Sequence, residues 1–222
     1  MEAFGIIALV AIIAVFGAIA TIAIGGVFGF GNSPEEIGKC GEKAIAAALA
    51  SRLDAATYHV MNDMLIPDGR GGTTQIDHVV ISPYGIFVIE TKTFSGWIFG
   101  DAKSAKWCST YYGDRHYFQN PYRQNFKHIC CLSRVMNLPR SVFIPAVVFP
   151  GDCTVKTRDK LPPSFTTSGG ELCDFILSHK TVHLATPYID SLKTRLQQAA
   201  IAQDENAVAL HVSYLKQRNH NS

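Results

Sequence analysis

Residues 75–93, QIDHVVISPYGIFVIETKT, leave this chain few folds. Two runs of Val, Ile and Phe flank Ser82-Pro83-Tyr84-Gly85, a turn with Pro in its second place, which predicts a β-hairpin with strands over Gln75–Ile81 and Ile86–Thr93. Symmetry about Pro83 and Tyr84 sets Ile81 against Ile86, Asp77 against Glu90, and Gln75 against Lys92. Strand alternation then gathers those four polar side chains on one face. Directly opposed residues have Cβ atoms about 4.5–5.5 Å apart, and like charges so placed repel. Burying Asp77 and Glu90 among Val and Ile therefore requires a positive group between them.

A third carboxylate is expected beside them. Ser33-Pro34-Glu35-Glu36 is a capping-box signature with Pro at the first helical position, so a helix should run from there to about Leu53, followed by a strand over Thr57–Leu65. Glu42, Ile45, Leu49 and Leu53 fall on one stripe of that helix, which turns Glu42 toward the core. Two groups could neutralise the acids. Lys92 would make a buried ion-pair cluster. A hard divalent cation, Mg²⁺ with Mn²⁺ as a substitute, would bind through one or two carboxylates, water and phosphate oxygens. One lysine does not easily offset three acids, which favours the ion.

The order helix with Glu, strand with Asp, turn, strand with Glu-x-Lys resembles the PD-(D/E)xK nuclease superfamily. More closely, GKCGEKAIAAAL, TQIDHVVISPYGIFVIETKTFSGWIFG and FQNPYRQNFKHICCL resemble, in order and spacing, the nuclease-related domain family, over about residues 37–150. The resemblance implies a restriction-endonuclease-like α/β fold, a mixed β-sheet flanked by helices, with a role in DNA processing. It also implies that Glu42, Asp77, Glu90 and Lys92 form the catalytic group, with Asp77, Glu90 and Glu42 as metal ligands. Asn120-Pro121 reads as the cap and first residue of a second helix, on which Gln124, His128, Cys131 and Val135 share a stripe. Some superfamily members carry Gln-x-x-x-Tyr on that helix, which implies a catalytic role for Gln124. His128 stands in place of the Tyr and reads as a satisfied core histidine. After Pro150 no zinc-ribbon, helicase or kinase segment follows.

The net charge of +2 identifies no nucleic-acid binder, so the distribution matters more than the sum. Between Lys92 and Arg140 the bases, among them Lys103, Lys106, Arg115, Arg123 and Lys127, outnumber Asp101 and Asp114, with Trp97, Trp107, Tyr111, Tyr112 and Tyr117 interleaved. Such a stretch suits a phosphate backbone and unpaired bases. The rest of the chain, 151–222, is expected to be a helical extension over the core, with helices near Glu171–His179, Pro187–Gln203 and Asp204–Gln217. The six cysteines are scattered without zinc spacing and read as free thiols of a reducing compartment.

Residues 3–31 contain no charged side chain, and about 20 apolar residues cross a bilayer. The reading is a single-pass transmembrane anchor over 1–31, in contact with lipid through residues 3–26, rather than a signal peptide, which would carry a basic n-region and a shorter apolar run. Lys39 and Lys43 follow the run and no base precedes it, placing the 32–150 core in the cytoplasm. The sequence leaves the oligomeric state open. The expected protein is a membrane-anchored, Mg²⁺-dependent nuclease acting on DNA; its rival is a non-catalytic module of the same fold that tethers DNA or a protein to the membrane.

Overall fold

The computed structural model describes residues 33–202, 207 and 209–214. The expected span at 3–31 lies outside them, and no helix among the described residues is long and apolar enough to cross a membrane. The chain divides into two compact units, Met1–Ile37 and Gly38–Ser222; of the first, only the opening of a helix is described.

That helix, α1 (Pro34–Arg52), starts on the capping box: Ser33 Oγ accepts from Glu36 N at 3.2 Å, and Glu36 Oε2 accepts from Ser33 N at 2.6 Å. It buries Gly41, Ile45 and Leu49. Strands β1 (His59–Pro67), β2 (Thr73–Ser82) and β3 (Gly85–Thr91) follow as an antiparallel meander. Three further strands, β4 (Gly96–Phe99), β5 (Lys106–Tyr111) and β6 (Asp114–Gln119), precede α2 (Pro121–Met136). Then come β7 (Phe143–Val148), β8 (Cys153–Val155), β9 (Phe165–Thr166), α3 (Gly169–Ser178) and α4 (Thr186–Ala199).

The strands form two mixed sheets, not the single sheet expected. The first has the order β1-β2-β3-β7-β9 and the second β6-β5-β4-β8. The basic, aromatic stretch after Lys92 builds three strands of the second sheet because its apolar residues alternate: Ile98 and Trp107 point to a core shared with Val147, Phe149 and Phe165. The stretch after Pro150 is likewise more than helical cover. It supplies β8, which pairs Thr154 with Trp97, and β9, which pairs Phe165 with Val147.

Helices cover both faces of the first sheet. Val79, Ile81, Ile86 and Val88 pack on Ile129 and Leu132 of α2 and on Leu192 and Leu196 of α4. Val80, Phe87 and Ile89 pack on Ile45 and Leu49 of α1 and on Leu172 and Ile176 of α3. Every residue of β3 is buried, as a two-sided central strand with a continuous apolar run requires.

The hairpin register is the expected one from Ser82↔Gly85 and Ile81↔Ile86 to His78↔Ile89, but the ladder stops there. Asp77 and Glu90 are therefore not a ladder pair. Past that point β2 pairs with β1 alone and β3 continues along β7, with Glu90↔Val147 and Thr91↔Val148. Lys92 N donates to Val148 O at 2.9 Å, so Gln75 and Lys92 do not face each other in a ladder either. The two central strands separate where their acids begin.

Candidate active site

Where β2 leaves β3, a side chain replaces the missing backbone partner: Asp77 Oδ2 accepts from Thr91 N at 2.7 Å. Glu90 is fully buried, and each of its oxygens has a partner. Lys92 Nζ lies 2.7 Å from Oε1, and His128 Nε2 lies 3.1 Å from Oε2. On the far side of the ring, His128 Nδ1 lies 2.9 Å from Thr74 Oγ1. A proton on Nε2 lets the ring donate to Glu90, while Nδ1 is paired with the Thr74 hydroxyl. His128 is thus buried and satisfied, and the group it is bonded to is the acid of the Glu-x-Lys pair.

The electrostatics separate the two strand acids. Burial pushes the Asp77 carboxyl well above the usual carboxylate range, and the charge of Glu90 pushes it further, against the pull of Lys92 and the Thr91 amide. Burial also acts to raise Glu90, but the Lys92 charge and the His128 hydrogen bond outweigh it, and Glu90 sits below the ordinary value. Burial depresses the ammonium of Lys92, while Glu90 and then Asp77 more than restore it, leaving it above its usual value. Glu42, half-buried on α1, is raised first by burial and next by the charge of Asp63, with Glu90 adding to it.

Asp63 is the residue that sequence reasoning missed. It falls between the pairs Asn62↔His78 and Met64↔Ile76, hence opposite Asp77, and its backbone is left-handed at φ 53°. Its Oδ1 accepts from Gln75 Nε2 at 2.5 Å, so Gln75 serves the β1 acid. The signal was present: Asn62-Asp63 interrupts an otherwise apolar strand, just as Asp77 does. Asn125 was also missed. It is buried on α2, and its Nδ2 donates to Val88 O and Ala146 O at 2.8 Å each, clamping the helix onto the parallel pair β3–β7. Gln124, one residue earlier, is half-buried.

Glu42, Asp77 and Glu90 thus all feel the ammonium of Lys92, and Asp63 acts on Glu42. The chain from residue 37 to 150 matches the nuclease-related domain family, just over half of its length. The chain belongs to that family. An uncharacterized protein of Bacillus anthracis is similar to it, at 31% identity over 182 residues, covering 82% of this chain and 85% of that relative. No solved structure matches.

Within this nuclease-related domain, part of the restriction-endonuclease-like superfamily, the residues expected at the site lie on four elements. Glu42 comes from α1, Asp77 from β2, Glu90 from β3 with Lys92 just after it, and Gln124 from α2. The basic residues do not form one patch. Lys103, Lys106, Arg115 and Arg123 are exposed, and Arg123 Nη2 donates to Lys103 O at 2.7 Å, tying the 101–106 loop to the start of α2. Arg115 sits apart, opposite Thr110 near the tip of the β5–β6 hairpin. Lys127 is half-buried, and its charge acts on Asp68 and Cys131. Among the described residues no group of three or more His, Cys, Asp and Glu converges tightly enough to hold an ion unaided. Mg²⁺ needs only one or two carboxylates, with water and phosphate oxygens completing its shell, and the hard, oxygen-only donors here are of the kind it takes.

Proposed function

We propose that this nuclease-related domain hydrolyses the phosphodiester bonds of DNA with the help of Mg²⁺, Mn²⁺ serving as a substitute. The observation that carries the reading is the surplus of acid where β2 and β3 separate. Burial and neighbouring carboxylates raise both Asp77 and Glu42, Asp77 the more, so ionising them is costly and a cation beside them would offset that cost. Asp77 and Glu90 would hold the ion, with Glu42 helping directly or through water. When bound, such an ion lowers the pKa of an attacking water and neutralises charge on the phosphate.

The chain's own residues do the rest. Lys92, its ammonium kept charged by Glu90, would orient the attacking water and stabilise charge that grows in the transition state. His128 fixes one oxygen of Glu90 and so sets where the other points. Thr91 N does the same for Asp77. The apolar run at 3–31 is proposed to anchor the protein in the membrane, with the domain in the cytoplasm. The deciding experiment is incubation of the full-length protein with supercoiled plasmid, with and without Mg²⁺. Nicking that requires the ion and disappears in Asp77→Asn is the expected outcome; a plasmid left intact by wild type in both Mg²⁺ and Mn²⁺ refutes the hydrolase.

One observation favours the rival, a tether without catalysis. Lys92 and His128 already stand against the two oxygens of Glu90, as in a structural ion-pair cluster. In that case the Tm of the protein would not respond to millimolar Mg²⁺, whereas ion binding to the folded state alone raises it.

A further inference from the structure

The second sheet has two faces, and one of them packs into a core. Its inner face, Ile98 and Trp107, is fully buried against Phe149 and Phe165. Alternation sends the other residues of the same strands outward. Trp97↔Thr110, Phe99↔Cys108, Cys108↔Tyr117 and Thr110↔Arg115 are cross-strand neighbours, which places Trp97, Phe99, Arg115 and Tyr117 side by side on the outer face. The β5–β6 turn adds Tyr111 and Tyr112, whose rings meet edge to face with centroids 4.5 Å apart. Together they line a concavity of about 750 Å³. Trp97 is 54% exposed, Tyr117 60% and Tyr112 92%, so these rings contribute little to the core and remain largely exposed.

We infer that this outer face is a stacking platform for unpaired nucleotides, and hence that single-stranded or frayed DNA is the preferred form of substrate; the inference rests on the nucleic-acid reading above. Three observations choose this occupant. The lining is aromatic with a cation among the rings, Arg115, and none of the described lining residues is acidic. Lys156 Nζ stands over the Trp97 ring, 4.2 Å from its centroid, so a second positive charge lies against the aromatic face at Trp97. Rings that offer flat surfaces to bases, with cations for the intervening phosphates, are the means by which proteins hold single strands without reading sequence. Finally, Trp97 follows Lys92 by five residues, and five residues of extended chain reach at most about 17 Å, roughly the length of a few nucleotides. A strand lying on the platform is thereby within reach of the acids.

The test measures binding apart from cleavage. The full-length protein in EDTA is titrated into a fluorescein-labelled oligo-dT of about 15 nucleotides, into a duplex of equal length, and alongside vesicles of phosphatidylglycerol and phosphatidylcholine. Oligo-dT should bind more tightly than duplex. Tyr112→Ala and Tyr117→Ala should each weaken oligo-dT binding by about tenfold; Leu at either position should lose as much, and Phe should retain it, because stacking needs a ring and not merely apolar area. Tm values equal to wild type keep a folding defect out of the result. Oligo-dT binding that ignores these tyrosines, or is no tighter than duplex binding, overturns the platform. So does a loss of vesicle binding with oligo-dT binding unchanged, which would make the face a lipid surface. The hydrolase stands or falls separately: Asp77→Asn should bind oligo-dT as wild type does while cutting nothing, and a wild type that binds oligo-dT but cuts no DNA retires the hydrolase and leaves the platform in place.

Discussion

Glu90 and Asp77 are both carboxylates on neighbouring apolar strands, yet their surroundings pull them apart. Glu90 is compensated from both sides, and removing a partner should be costly. Lys92→Met leaves a buried carboxylate with His128 alone, a change expected to destabilise the protein by about 3 kcal/mol. Urea unfolding in EDTA reads the loss, and adding Glu90→Gln to that variant should recover much of it, because it removes the stranded charge. Asp77 runs the other way. Its folded-state pKa is raised by burial and by Glu90, so the folded protein keeps a proton that the unfolded chain releases near the ordinary aspartate value. Stability therefore falls as the pH rises from about 4 through the folded pKa. Asp77→Asn abolishes that fall, and Asn Oδ1 still accepts from Thr91 N. The variant should melt a few degrees above wild type at pH 7–8 without metal, with the gain vanishing toward pH 4; a variant that melts lower at neutral pH would contradict the costly ionisation assigned to Asp77.

At the scale of elements, the site depends on how close α1 comes to the end of β3. Gly41 is buried immediately before Glu42, and a Cβ there would collide with Thr93 Oγ1. A glycine inside a helix costs about 1 kcal/mol relative to alanine, so its presence marks close approach rather than helix preference. Gly41→Ala should accordingly destabilise by about 1–3 kcal/mol despite its better helix propensity. It should also weaken the Mg²⁺-induced rise in Tm, since Glu42 moves with the helix. Thr93→Ala removes the colliding oxygen, and the double variant should regain most of the lost stability; additive losses in that cycle would show that the contact is not the cause. Asn125 plays the matching part for α2, holding it to the carbonyls of Val88 and Ala146 so that His128 reaches Glu90.

For the whole molecule, the exposed Lys103, Lys106, Arg115 and Arg123 are the charges available to a phosphate backbone. Each phosphate contact on duplex DNA adds about 0.9 to the slope of log affinity against log salt, so duplex binding in EDTA that engages all four should show a slope of about −3 to −4; a slope near zero would remove these residues from the interface. A reporter fused after Ser222 should be active in the cytoplasm and sediment with membranes, whereas a fully soluble full-length protein would count against the anchor at 3–31. The sequence alone determined the local elements: the α1 capping box, the Ser82–Gly85 turn, and the hairpin register as far as His78↔Ile89, because caps, turns and alternation act over a few neighbouring residues. It also brought Asp77, Glu90 and Lys92 together, since one hairpin carries all three. Only the tertiary structure decided that the ladder ends one pair before the acids, that Asp63 falls opposite Asp77 on β1, and that Glu90 lies between Lys92 and His128. It also decided that the residues after Lys92 and after Pro150 build a second sheet with an aromatic outer face. Those outcomes depend on which strand lies beside which and on what each buried charge finds there, and such partners come from stretches of chain far apart, which periodicity within a segment cannot specify.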